Sequence, residues 1–90
     1  MERSDVIKGN AVQRQALEAL AKSADGLTAT ALGALLWPGR VRTHFAAGAV
    51  LFHLRKRDWA VRDENGINRI TISGADRLIE LLETPAVPVA

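Results

Sequence analysis

Apolar residues recur along this chain at two spacings, and the change of spacing separates helices from one hairpin. Up to Arg57 they follow the i, i+3, i+4, i+7 spacing of helix faces that pack on a core. The spacing predicts helices over residues 11–23, 29–36, 43–57 and 74–83. The positions expected to be buried are Val12, Ala16, Leu17, Leu20, Ala24, Leu32, Leu35, Leu36, Ala47, Val50, Leu51 and Leu54. The last helix has an apolar side formed by Leu78, Ile79 and Leu82.

Capping and turn residues mark the ends of these helices. Side-chain oxygens suited to helix N-caps precede each one, at Asn10, Thr28, Thr43 and Ser73. A very short strand is expected at Leu27-Thr28. The order is therefore helix, short strand, two helices, hairpin and a last helix.

The segment between the third and fourth helices predicts a β-hairpin. Asn65-Gly66 would close it, because both residues accept the positive φ angles of a two-residue primed turn. That turn pairs Glu64 with Ile67, Arg62 with Arg69, Val61 with Ile70, and Trp59 with Ile72. The four apolar members of these strands then share one face. Opposed like charges are destabilising, so the arginine pair favours a bound anion such as phosphate.

Length and charge indicate one small domain with a basic centre. The 90 residues predict a flexible arm at 1–9, a domain at 10–83 and a disordered tail at 84–90. The net charge is +2. The basic residues exceed the acidic ones in the segment 40–69, which is typical of nucleic-acid binding but also fits a solubilising surface.

Several classes of function find no support in the residues. The chain has no cysteine, and its two histidines, His44 and His53, have no nearby residues that complete a metal or catalytic site. No nucleophile triad or glycine-rich phosphate loop is present, so we expect a protein that is not an enzyme and has no cofactor. The N-terminus does not resemble a signal peptide and no apolar run could span a membrane, so we expect a cytoplasmic protein.

The residues around the hairpin resemble those of a known family. Leu54, three polar residues, Asp58 and then Trp59-Ala60 look like the end of a recognition helix in MarR-like bacterial regulators, with Asp58 where that family usually has Gly. Gly26-Leu27-Thr28 with Leu32, and Ile72-Ser73-Gly74, resemble the entries to that family's second and last helices. The resemblance covers residues 11–83. It implies a mainly α fold with a small β-hairpin: a winged helix-turn-helix with three core helices, a two-stranded wing and a C-terminal helix.

On that fold, double-stranded DNA is the expected partner and transcriptional regulation the expected role. Residues at the start of the recognition helix enter the major groove, and wings follow the backbone or the minor groove. The DNA-binding candidates are Arg40, Arg42, Thr43 and His44 at the groove, and Arg55, Lys56, Arg62 and Arg69 on the phosphate backbone. Each of these also fits an ordinary exposed loop, cap or surface charge.

Two apolar faces are compatible with partners other than DNA. Phe45, Gly48, Ala49 and Phe52 form a stripe on the third helix that offers no amide or arginine for reading bases. Phe45 could instead pack against the second helix, or the stripe could bind a protein partner. The last helix could close the core or build a homodimer. Trp37 and Trp59 are expected to anchor the core.

Overall fold

A computed structural model of the chain describes the backbone of residues 2–83 and the side chains of residues 11–83. This part forms four helices and a two-stranded antiparallel sheet, which confirms the predicted mainly helical fold with one hairpin. In chain order the elements are α1 (Glu2–Lys22), α2 (Ala29–Leu36), α3 (Thr43–Lys56), β1 (Ala60–Arg62), β2 (Asn68–Ile70) and α4 (Ile72–Glu83). The predicted disordered tail at 84–90 lies outside the described residues.

The core lies between the first three helices and is closed by the hairpin and α4. Its buried apolar residues are Ala16, Leu17, Leu20, Leu32, Ala47, Leu51, Leu54, Ala60 and Leu78. The helical spacing therefore identified most of the core correctly. Trp37 and Trp59 pack against it while remaining partly exposed, as expected of core anchors. Two expected core residues are exposed: Leu35 lies on the outer face of α2, and Ala24 lies beyond the end of α1. On the apolar side of α4, Leu78 is buried, whereas Ile79 and Leu82 are exposed.

The first helix begins earlier than its sequence predicts. α1 starts at Glu2, so the expected arm at 1–9 is helical from its second residue and Asn10 lies inside the helix instead of capping it. Gly9 and Asn10 are weak helix formers, but two such residues cost too little to end a helix without a proline. The predicted start was therefore wrong.

Two of the remaining caps also differ from the prediction. Thr28 does cap α2, since its hydroxyl accepts from the Ala31 N–H over 3.1 Å. Thr43, however, is the first residue of α3, and Arg42 precedes it in the left-handed conformation without a side-chain cap. Thr71, and not Ser73, caps α4: its hydroxyl accepts from the Gly74 N–H over 2.9 Å and donates to the Asp58 carbonyl.

The hairpin register is shifted by one residue from the prediction. Ala60 pairs with Ile70, Val61 with Arg69, and Arg62 with Asn68. The predicted Arg62–Arg69, Val61–Ile70 and Trp59–Ile72 pairs are therefore wrong. As a result Val61 lies on the exposed face, and Ile72, 86% exposed, begins α4.

A carboxylate explains this shift. The Asp63 side chain accepts hydrogen bonds from the backbone N–H groups of Asn65 (2.8 Å) and Ile67 (3.0 Å), while the Gly66 N–H donates to the Asp63 carbonyl. Among the loop residues 64–66 only Gly66 has a positive φ, of 79°. The loop therefore has three residues, with a turn followed by a left-handed glycine, instead of the two residues of a primed turn.

Candidate nucleic-acid interface

The segment formed by α2, the turn after it and α3 carries positive charge and no acidic residue. Between Asp25 and Asp58 the sequence has no acidic residue, so α2, the turn after it and α3 lack carboxylates altogether. The basic residues of this stretch are Arg40, Arg42, Arg55, Lys56 and Arg57. They fall into two groups, one before the start of α3 and one at its end, separated by roughly 20 Å of helix.

Exposed apolar residues run along the solvent-facing side of α3 as far as Lys56 in its last turn. Ala47, Leu51 and Leu54 point to the core, so the opposite side carries Phe45, Ala49, Phe52 and Lys56, spaced i, i+4, i+7 and i+11. We call the three apolar residues, Phe45, Ala49 and Phe52, the outer stripe. Phe45 is 69% exposed and Phe52 is 54% exposed. The alternative in which Phe45 packs against the second helix is therefore wrong.

The first basic group lies at the turn between α2 and α3. Arg40, Arg42 and His44 are exposed, and the side chains of Arg40 and Arg42 make no hydrogen bond or ion pair within residues 11–83. Thr43 differs from these three. It is half-buried against Gly33 of α2, where an added Cβ would lie 2.8 Å from the Thr43 carbonyl oxygen. This close contact holds the start of α3 on α2 and leaves the arginines pointing outward.

The second group contains a residue that supports the hairpin. The Arg55 guanidinium donates to Asn68 Oδ1 over 2.9 Å, and Asn68 is only 2% exposed. Asn68 Nδ2 donates in turn to the carbonyls of Leu27 (3.1 Å) and Gly66 (3.3 Å). Burial, and then the charge of Arg62, lower the pKa of the Arg55 guanidinium. Arg55 therefore joins the end of α3 to the hairpin, in addition to adding charge.

The hairpin arginines are not partners of one another. Arg69 forms an ion pair with Asp63 over 3.0 Å, so a neighbouring carboxylate balances its charge. Arg62 is exposed and lies on the other side of the strand pair, near Arg55. Arg62 therefore joins the basic group at this end of α3, in which Arg57 lies over the Trp59 ring.

Asn68 is the residue at this site that the sequence reasoning missed. A signal for it existed, because Asn68 and Ile70 are two residues apart on one strand and must share a face. A polar residue on that inward face needs hydrogen-bond partners when buried.

The described residues offer neither a metal site nor a membrane-spanning helix. Within the described side chains no group of three or more His, Asp or Glu residues could hold a metal ion. No helix among those described is both long and apolar enough to cross a bilayer. Comparisons with protein-family models, curated proteins and solved structures found no significant match to this chain.

Proposed function

We propose that this chain is a winged-helix domain that binds double-stranded DNA and acts as a small transcriptional regulator. The observation that carries the proposal is the side of α3 that faces solvent. It is exposed over the length of the helix, free of acidic residues, and bounded at both ends by cationic side chains. DNA presents a groove lined on both sides by phosphates, so such a helix suits it in both shape and charge.

The order of elements supports the winged-helix assignment. Leu27, between α1 and α2, exchanges backbone hydrogen bonds with Asn68 of β2, each over 2.8 Å. This contact is a single antiparallel bridge beside the two-stranded hairpin, at the place where the short strand was expected. A winged helix has this arrangement of helix, short strand, helix-turn-helix and hairpin, with the second helix of the pair used for recognition.

In this proposal the residues near α3 divide into three roles. Arg40, Arg42 and His44 meet phosphates and base edges at the groove entrance, while Lys56 and Arg62 meet the backbone at the other end. Thr43 offers its backbone N–H at the start of α3. Arg55 supports the hairpin through Asn68, and Arg69 can reach a phosphate only by loosening its ion pair with Asp63.

A salt titration tests the proposal. Each phosphate contact that is removed should reduce the slope of log K against log salt by about one unit. We therefore expect Arg40→Ala, Arg42→Ala and Arg62→Ala each to flatten the slope for a random 20-base-pair duplex. Arg14→Ala is the matched control, because it removes the same charge from α1, where Arg14 faces Glu18. Equal effects of all four substitutions, or no binding at low salt, would contradict the proposal.

The exposure of the outer stripe favours a second candidate, a protein-interaction module. Phe45 and Phe52, with Val41 at 85% exposure, form an apolar area that a protein partner could cover. In that case Phe45→Ala and Phe52→Ala should abolish function in the cell, while DNA affinity stays negligible and the arginine substitutions have little effect.

We also propose that the domain forms a homodimer through α4. Leu78 packs inward, while Ile72, Ile79 and Leu82 lie on the exposed side, at 86%, 52% and 55% exposure. Sedimentation equilibrium tests this directly, with Ile79→Lys as the variant expected to dissociate the dimer. A two-fold symmetric dimer would bind a palindromic DNA site. A monomer at high micromolar concentration would refute both the dimer and this expectation.

A further inference from the structure

We infer that α3 selects DNA by the C5-methyl groups of thymine, which Phe45, Ala49 and Phe52 contact. Gly48 has no side chain and so lets this side of the helix approach the bases closely. This inference rests on the proposed DNA binding and deepens it by naming what the recognition helix reads.

Gly48 supplies the first argument. It lies inside α3, and a Cβ added there would meet nothing within 4 Å. Packing therefore does not require a glycine at this position, although glycine destabilises a helix interior relative to alanine. Gly33 provides the contrast, since its added Cβ would clash with Thr43. A glycine that the fold does not need, beside two exposed rings, indicates close approach by another molecule.

The chemistry of the outer stripe supplies the second argument. Phe45, Ala49 and Phe52, together with Gly48 beside them, carry no side-chain donor or acceptor, so they cannot distinguish bases by hydrogen bonds. Every base pair edge in the major groove presents polar atoms, and only thymine adds an apolar group, the C5-methyl. The one partner in that groove that these side chains can recognise is therefore the thymine methyl.

The charges around the stripe argue for DNA over an apolar protein surface as its occupant. Arg40 and Arg42 lie before the start of α3, and Lys56 and Arg62 lie at its other end. None of the four forms an ion pair within the described side chains. The apolar side chains of the stripe therefore match methyl groups on the floor of a groove. The cations at both ends of the helix match the phosphates along the edges of that groove.

Removing only the methyl groups tests the inference. A 20-base-pair alternating d(A-T) duplex is compared with its d(A-U) counterpart, which lacks every C5-methyl. A buried methyl corresponds to about fourfold in affinity, so the d(A-U) duplex should bind about fourfold more weakly for each methyl contacted. Replacing cytosine by 5-methylcytosine in a d(G-C) duplex should raise the affinity by the same factor.

The Phe45→Ala/Phe52→Ala double variant separates methyl contact from changes in DNA shape. Both side chains are exposed, so its melting temperature should stay close to that of the native chain, while its preference for d(A-T) over d(A-U) should disappear. Equal affinity of the native chain for both duplexes would overturn the inference. A preference that survives in the double variant would also overturn it, because that preference would then come from DNA shape.

Gly48→Ala gives a test that misfolding cannot imitate. The substitution should raise the melting temperature, because alanine is the better helix former and its Cβ meets no atom. The same variant should bind the d(A-T) duplex more weakly by about fourfold or more, the loss of at least one methyl contact. Unchanged affinity would overturn the close approach that we infer. Absence of salt-dependent binding to any duplex would instead refute the proposed function itself.

Discussion

Asn68 offers the sharpest test of how the hairpin is held on the helical core. Replacing it by alanine removes two donated hydrogen bonds, to the Leu27 and Gly66 carbonyls, and the acceptor of the Arg55 guanidinium. Neutral hydrogen bonds contribute about 0.5–1.5 kcal/mol each, and those to charged groups about 1.5–3 kcal/mol. Leu27 keeps the hydrogen bond from the Asn68 backbone, so we expect a loss of about 3 kcal/mol.

Thermal unfolding followed by circular dichroism measures this loss. In a domain of this size 1 kcal/mol corresponds to about 4–8 °C, so Asn68→Ala should lower the melting temperature by about 12–24 °C. Asn65→Ala is the matched control, because Asn65 lies in the same hairpin but is exposed and contributes only its backbone N–H. Its effect should stay within about 0.5 kcal/mol.

A double-mutant cycle with Arg55→Ala isolates the contact between the two side chains. We expect a coupling energy of about 1.5 kcal/mol or more, since the Arg55–Asn68 hydrogen bond involves a charged donor and a buried acceptor. A coupling energy near zero, or an Asn68→Ala variant as stable as Asn65→Ala, would refute the hydrogen-bond network described above.

Three further substitutions test other parts of the fold. Gly74→Ala should destabilise the domain by several kcal/mol or prevent folding, because the added Cβ would overlap the Trp59 carbonyl oxygen; chemical denaturation measures the loss. Asp58→Gly should raise the melting temperature, since Asp58 has a φ of 62° that glycine adopts without strain, and no change would show that Asp58 is unstrained. The hydrogen bond from the Ile67 N–H, with those from Arg69 and Asn65, lowers the pKa of Asp63. The Asp63 carboxylate therefore stabilises the hairpin fully above the ordinary pKa of about 3.9, and this stabilisation is lost as the pH falls through the lowered pKa. Asp63→Asn keeps an acceptor oxygen and should remove that pH dependence from the amide chemical shifts of Asn65 and Ile67; a variant that titrates like the native chain would contradict this assignment.

The helical part of the fold was predictable because its signals are local. The i, i+3, i+4 spacing of Ala47, Leu51 and Leu54 depends on helix geometry alone, and it identified the buried side of α3 correctly. Thr28 was equally predictable, since a threonine before an apolar helix has few other roles.

The hairpin register was harder, because the sequence contains two competing turn signals. Asn65-Gly66 suits a two-residue primed turn, whereas Asp63 with Gly66 suits a turn that has aspartate first and glycine fourth. The Asp63 carboxylate decides between them by accepting two backbone N–H groups that the shorter loop would leave to solvent. The difference of one residue exchanged the two faces of β1, so that Ala60 instead of Val61 points inward, while Ile70 of β2 faces the core as predicted. The predicted arginine pair was lost with the register.

The candidate site was predictable in composition but not in arrangement. The excess of basic residues and the apolar outer stripe are visible in the sequence. That Arg55 bonds to Asn68, and that Arg69 bonds to Asp63, depends on the register and on contacts between distant residues. The assignment of Arg62 and Arg69 as one phosphate-binding pair therefore could not survive the change of register.

The hydrogen bonds of Asn68 fix the hairpin at the loop end of its two strands, where Asn68 pairs with Arg62. Its backbone and side chain join Gly66, the last residue of the loop, to two points far away in the sequence, Leu27 before α2 and Arg55 in the last turn of α3. The strands of the hairpin cannot move away from α3 at this end unless the hydrogen bonds to Leu27 and Arg55 break. Only the conformation of the loop beyond Arg62 can then change when a partner binds. The distance between α3 and the hairpin is fixed, and it sets the width of the surface that the domain can contact.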